Sequence, residues 1–400
     1  MKRFFSIVSV LFFAGLISAQ QPFDYLLKAK SLVDRGLSAE AIKLLTEALV
    51  KSQDYRFYIV RAEARMSGGD YLSASNDFRS ANSIEINSGE YGLARIYALK
   101  GDAVNSLNHL EKNINSSFKK GEKEIMLDAA FSLIENTPDW RLFWKKERYN
   151  IFENKIPEIE YYISTGNTND ATVLLNDLKA DYKEDSETRY AEALVALAQQ
   201  KYSESVTILT KLLEENRKNQ KYLRLLAKTQ LSSGNPSGAS QSYSELINAG
   251  IPDAELFMLR AECFNKTGET EKALKDVNRY LELYPDNRKA ISEAGKLEAK
   301  SGDNLKALEY FSRNLQLHPG DPECYIDRGN SYFVSGAWDY AGKDYGMALD
   351  IQPLNSETWL NKGITLLKRG NTDDACHDFR AAFNLGNKKA SGYLSKYCIK

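Results

Sequence analysis

Small residues recur every 34 positions along most of this chain, at Ala171, Ser205, Ala239, Ala273, Ala307, Ala341 and Ala375. A glycine stands five residues before six of these seven, at Gly166, Gly234, Gly268, Gly302, Gly336 and Gly370. A fixed period of this length confines the fold to stacked copies of one small unit, each burying its apolar face only against its neighbours. A protein of 400 residues built this way is not a set of compact globules.

The unit itself reads as two helices. In residues 322–355, Tyr325, Gly329 and Tyr332 share one helix face at spacings of four and three. Gly336 breaks that helix, Ala341 and Tyr345 start the buried stripe of a second, and Pro353 stops it. Small side chains at Gly329 and Ala341 let the two helices approach closely, with the aromatic rings filling the space beside them.

This pattern, an aromatic residue, then glycine and tyrosine on one helix and alanine, an aromatic residue and proline on the next, resembles the tetratricopeptide repeat. Residues 254–287 carry it as Phe257, Ala261, Phe264, Gly268, Ala273 and Pro285. Residues 288–321 carry Gly295, Gly302, Ala307, Phe311 and Pro319, and residues 356–389 carry Trp359, Gly363, Gly370, Ala375 and Phe379, with Asn387 in place of proline. The expected fold is all-α: an α-α superhelical solenoid of about eleven helix-turn-helix units. Residues 20–119 form looser units, marked by Gly36 with Ala41, Gly69 with Ala74 and Gly101 with Ser106, and residues 152–389 form seven regular ones. Residues 120–151 are degenerate: a helix to about Glu135, a polar turn at Asn136-Thr137-Pro138, then an aromatic helix with Trp140, Phe143, Trp144 and Tyr149 running into residue 152. That stretch reads either as a local packing irregularity or as a kink that exposes an aromatic surface. Residues 390–400 read as a capping helix over the last apolar face.

The N-terminus reads as an export signal. Lys2 and Arg3 precede an uncharged apolar run, Phe4 to Leu16, and Ile17-Ser18-Ala19 offers a cleavage site before Gln20. That run is shorter than the roughly 20 residues a spanning helix needs, so residues 1–19 are expected to be removed, leaving no transmembrane segment. The expected destination is the periplasm or an association with the outer membrane, with secretion as the alternative. Lys and Arg total 53 against 54 Asp and Glu, so no global basic field marks a nucleic-acid partner.

The sequence carries no nucleotide-binding glycine loop, zinc-protease motif or nucleophile elbow. His109, His318 and His377 lie in different units. The reading is a non-enzyme with no cofactor and no metal. Cys376 falls just after the small position of the last unit and Cys398 falls in the capping helix. In an oxidising compartment a disulfide between them would staple the cap, contributing about 2–4 kcal/mol; the alternative is two unpaired buried thiols. Cys263 and Cys324 are separated by a whole unit and read as small core residues.

The resemblance implies that the first helix of each unit lines a concave groove for partner peptides. The groove positions read Lys221, Arg224, Lys228, Lys289 and Lys296 in the middle units, a basic stretch. In the last two units they read Ile326, Asn330, Phe333, Leu360, Ile364 and Leu367, an apolar stripe with one amide. The stripe suits a partner's helix or extended segment, unless curvature turns these residues against each other. The expected function is a non-catalytic scaffold for envelope proteins. The alternative is a glycan- or peptide-binding component of an outer-membrane uptake or secretion complex, which would show aromatic platforms at Trp140, Trp144 or Trp338.

Overall fold

The computed structural model describes residues 22–398; the export signal expected at residues 1–19 lies outside them. The described residues are helical, with no strand among them. One compact body runs to Leu256 and a second from Phe257 onward.

The 34-residue period becomes a pair of antiparallel helices. In the second body the pairs are Arg288–Ser301 with Asn304–Leu317, Pro322–Val334 with Trp338–Ile351, and Ser356–Lys368 with Thr372–Asn384. The turn between the two helices has a backbone reason. At Gly302 the chain enters the left-handed region (φ 93°), which lets the amide of Asp303 reach back to the carbonyl of Glu298 at 3.0 Å and close the helix end. Asp303 then caps the next helix, its carboxylate accepting from the amide of Lys306 at 3.1 Å. The one regular unit that lacks the glycine keeps the conformation. Gln200 sits at φ 60°, and the amide of Lys201 still reaches Ala196 at 2.8 Å. Geometry here outranks residue type.

Close approach is set by a second glycine. A Cβ on Gly363 would lie 2.7 Å from the Phe379 ring, and one on Gly295 would lie 2.5 Å from the Phe311 ring. The ring of the second helix therefore rests directly on the backbone of the first, and Phe379 is fully buried there.

In the first body, Tyr55–Ser67 pairs with Tyr71–Ile84, and Glu90–Leu99 with Ala103–Ile114. Beyond Ile114 the pairing stops. The expected helix to Glu135 and the long aromatic helix do not form. In their place stand a five-residue helix Glu122–Met126, a 3-10 turn Ala129–Phe131 and a short helix Pro138–Phe143. The turn at Asn136-Thr137 is present, with Thr137 Oγ1 accepting from the amide of Trp140 at 3.3 Å. The earlier helix breaks because Asp128 is held by groups outside it. Its carboxylate takes the Tyr91 hydroxyl at 2.7 Å and the Arg95 guanidinium at 2.8 Å, while its other oxygen caps Ala130 at 2.9 Å. Phe131, Trp140 and Phe143 then fill a core with Leu110, Ile114 and Ile125. Regular pairing resumes with Ile151–Ser164 and Thr168–Tyr182, then Ser186–Ala198 and Tyr202–Glu215, then Gln220–Ser232 and Pro236–Asn248.

The chain ends in a cap. Helix Lys389–Tyr397 lays Tyr393 and Leu394 on the cluster of Leu360, Phe379 and Ala382, and Cys376 is joined to Cys398 across a Cα–Cα distance of 5.6 Å. Cys263 and Cys324 are buried free thiols, and burial pushes both up to about 11.

Candidate functional site: grooves on the first helices

The candidate site is the face formed by the first helix of each pair. Its register is simple. The residue six positions before a turn glycine is exposed at Lys30, Glu63, Lys228, Lys296 and Asn330, and half-buried at Arg95 and Ile364.

In the second body this face holds a pocket of about 320 Å³ lined by Lys296, Lys300, Asp327, Asn330, Ser331 and Val334. The charges in it are already matched. Asp327 accepts from the Ser292 hydroxyl at 2.5 Å and pairs with Lys296 at 3.1 Å. Asn330 accepts from the Tyr345 hydroxyl at 2.8 Å, and Lys300 donates to Asn265 Oδ1 at 2.6 Å. Lys289 is exposed, and Ile326 and Phe333 are half-buried.

The expected apolar stripe of the last unit is corrected by the cap. Leu360 is 2% exposed and belongs to the core. Ile364 and Leu367 are half-buried against the same cluster. Helix Lys389–Tyr397 covers this face.

In the expected basic stretch two charges have partners. Lys221 reaches Glu187 at 2.7 Å and lies 3.9 Å from the centre of the Tyr190 ring. Arg224 pairs with Asp253 at 2.8 Å. Glu187 belongs to the preceding unit and Asp253 to the loop before helix Glu255–Thr267, which a reading of one face of one helix leaves out. Lys228 remains exposed.

A groove of about 930 Å³ lies in the first body, at residues that the sequence reading did not name as a site. Tyr55, Ile59, Glu63, Tyr91 and Arg95 line it from two first helices, and Phe118, Lys119, Lys120 and Leu127 from the degenerate stretch. The break in the period makes this wall. Asn113 donates to the Phe118 carbonyl at 2.8 Å and accepts from the Lys120 amide at 3.1 Å, which turns the chain inward. Phe118 then meets Tyr55 edge-on at 5.8 Å. Burial and the Asp128 carboxylate push the Tyr91 phenol up. Glu63 is open to solvent, yet the enclosing walls raise its pKa, opposed by the charges of Lys30, Arg95 and Lys120.

The expected aromatic platforms are not free. Trp140 is 6% exposed, and Trp144 packs against it and against Phe143 with ring centres 5.6 and 5.2 Å away. Trp338 is half-buried.

Family models described as tetratricopeptide repeat match residues 196–263, 255–287 and 345–377. Residues 196–287 and 345–377 carry tetratricopeptide repeats. It is also similar to a tetratricopeptide repeat protein from Parabacteroides merdae, with 19% identity over 62% of this chain and 99% of that one, at a TM-score of 0.49. A Cut9–Hcn1 hetero-tetramer of the APC/C matches over 94% of this chain and 83% of that one, with 13% identity and a TM-score of 0.45. YrrB, described as a tetratricopeptide repeat protein with an unusual peptide-binding site, matches over 45% and 92% with 20% identity and a TM-score of 0.38. Among curated proteins no relative matches.

Four helix pairs share an ion pair that the sequence reading missed. Arg61 meets Asp77 at 2.7 Å, Arg260 meets Asp276 at 2.7 Å, Arg328 meets Asp344 at 2.8 Å and Lys362 meets Asp378 at 3.1 Å. In each pair the cation is 16 residues before a buried aspartate. That spacing is legible in the sequence once first and second helices are aligned. The pair ties the two helices of a hairpin together.

Proposed function

We propose that this protein is a non-catalytic scaffold of the bacterial envelope whose first-helix grooves hold segments of partner proteins. The observation that carries the reading is the groove of the first body. It is open, it is lined by aromatic and charged side chains from several units, and its size lies in the range of built binding sites. Export is supported by the basic and apolar start of the chain, and a disulfide that clamps the cap suits an oxidising compartment. Packing of Trp140 and Trp144 into the core weighs against glycan capture on those rings.

The test is crosslinking with mass spectrometry in native envelopes. Crosslinks to a defined protein should arise from Lys30, Lys228 and Lys289 on the first-helix faces. Crosslinks confined to second-helix faces, or none to any protein, would sink the proposal.

A further inference from the structure

The groove of the first body carries a charge pattern that neither the period nor the composition announces. Lys30, Glu63 and Arg95 each stand six residues before their turn glycines, Gly36, Gly69 and Gly101, so three successive units present plus, minus and plus at one register position. The surrounding charges are settled. Arg56 pairs with Asp54 at 2.6 Å, Arg95 with Asp128 at 2.8 Å, Lys119 with Glu153 at 2.9 Å and Lys120 with Glu124 at 2.7 Å. Glu63 and Lys30 are different. Both are exposed, both line the groove, and neither has a hydrogen bond or an ion pair among the described residues.

An unpaired carboxylate in a walled groove asks for a cation, and an unpaired ammonium beside it asks for an anion. The rings of Tyr55, Tyr91 and Phe118 supply flat apolar walls for the stems of such side chains. First helices of adjacent units pack about 10 Å apart, which an extended chain crosses in about three residues.

Building on the scaffold reading, we propose that this groove selects its partner by charge order. It holds an extended protein segment that sets a Lys or Arg against Glu63 and, about three residues along, an Asp or Glu against Lys30. The raised pKa of Glu63 agrees, since a cation docked there relieves a carboxylate whose charge the groove disfavours.

A random peptide display library panned on the full chain tests this. The wild type should enrich peptides with a basic and an acidic residue about three apart. Glu63→Lys should enrich an acidic residue at the formerly basic place. A wild-type peptide should bind that variant about tenfold more weakly and recover when its own basic residue is replaced by glutamate. Glu63 makes no hydrogen bond, so the variant should keep the helical circular dichroism of the parent. Identical motifs from both proteins, motifs without charge, or no enriched peptide would overturn the charge rule. Failure of the broader reading looks different: partner crosslinks on the second-helix faces sink both, whereas crosslinks in the groove with no charge preference sink the rule alone.

Discussion

Residues 288–384 and residues 115–150 solve the same problem with opposite means. In the regular stretch, a ring lies on a glycine, as Phe311 does on Gly295 and Phe379 on Gly363, and that contact sets how closely the two helices approach. In the irregular stretch no glycine takes that place. Phe131, Trp140, Phe143 and Trp144 cluster with each other instead, and long polar side chains stitch the loops together. Lys119 holds the Arg148 carbonyl at 2.8 Å and the Glu153 carboxylate at 2.9 Å, Tyr149 donates to the Lys120 carbonyl at 2.7 Å, and Arg148 pairs with Glu111. The lesson is about volume. Two helices come close only where one side gives up its side chain. Where both sides are bulky, the helices shorten and the backbone is satisfied by side chains. The irregular solution also turns Phe118 and Lys120 inward, which makes one wall of the 930 Å³ groove.

Three substitutions and one matched control would break or sharpen this contrast. The largest effect is expected for Trp140→Ala, which empties the centre of the irregular core and should cost about 4 kcal/mol. Hydrogen exchange should show the loss concentrated in residues 122–143, because a stacked array couples mainly nearest neighbours. Equal loss of protection at Ser356–Lys368 would show that the two stretches are not independent.

Next comes Asp344→Ala in the regular stretch. It strips Arg328 of its partner and should cost about 3 kcal/mol in urea denaturation. Asp344 is 5% exposed and raises the Arg328 guanidinium while paired; a guanidinium keeps its charge without that help, so the substitution leaves a half-buried cation unmatched. A loss under about 1 kcal/mol would mark the ion pair as surface decoration.

The smallest effect is expected for Gly363→Ala, about 2 kcal/mol, since the new methyl group meets the Phe379 ring. Gly346→Ala is the matched control. Nothing lies within 4 Å of a Cβ there, so it should stabilise helix Trp338–Ile351 by about 0.5–1 kcal/mol. Thermal melts of the two variants should move in opposite directions. If both rise, the close-approach argument is wrong.

Much of the architecture was legible in residue spacing alone. The regular helix pairs, their turn glycines and the cap all follow from a 34-residue period, because each unit meets only its neighbours and local pattern then decides structure. The 16-residue ion-pair spacing was equally readable and passed over. Within residues 115–150 only the turn at Asn136-Thr137 was legible. Their elements are set by Asp128, Asn113 and Tyr91, whose partners lie up to 37 residues away. Groove chemistry belongs to the same class. Whether Lys221, Arg224 or Lys296 is available depends on a carboxylate of another helix, and whether Leu360 faces solvent depends on where the terminal helix lands. Sequence by itself determined the repeating hairpin, since its contacts are short-range and recur in phase. Tertiary structure alone decided which charges on its face are left unmatched, because matching a charge takes a partner that the periodic pattern does not name.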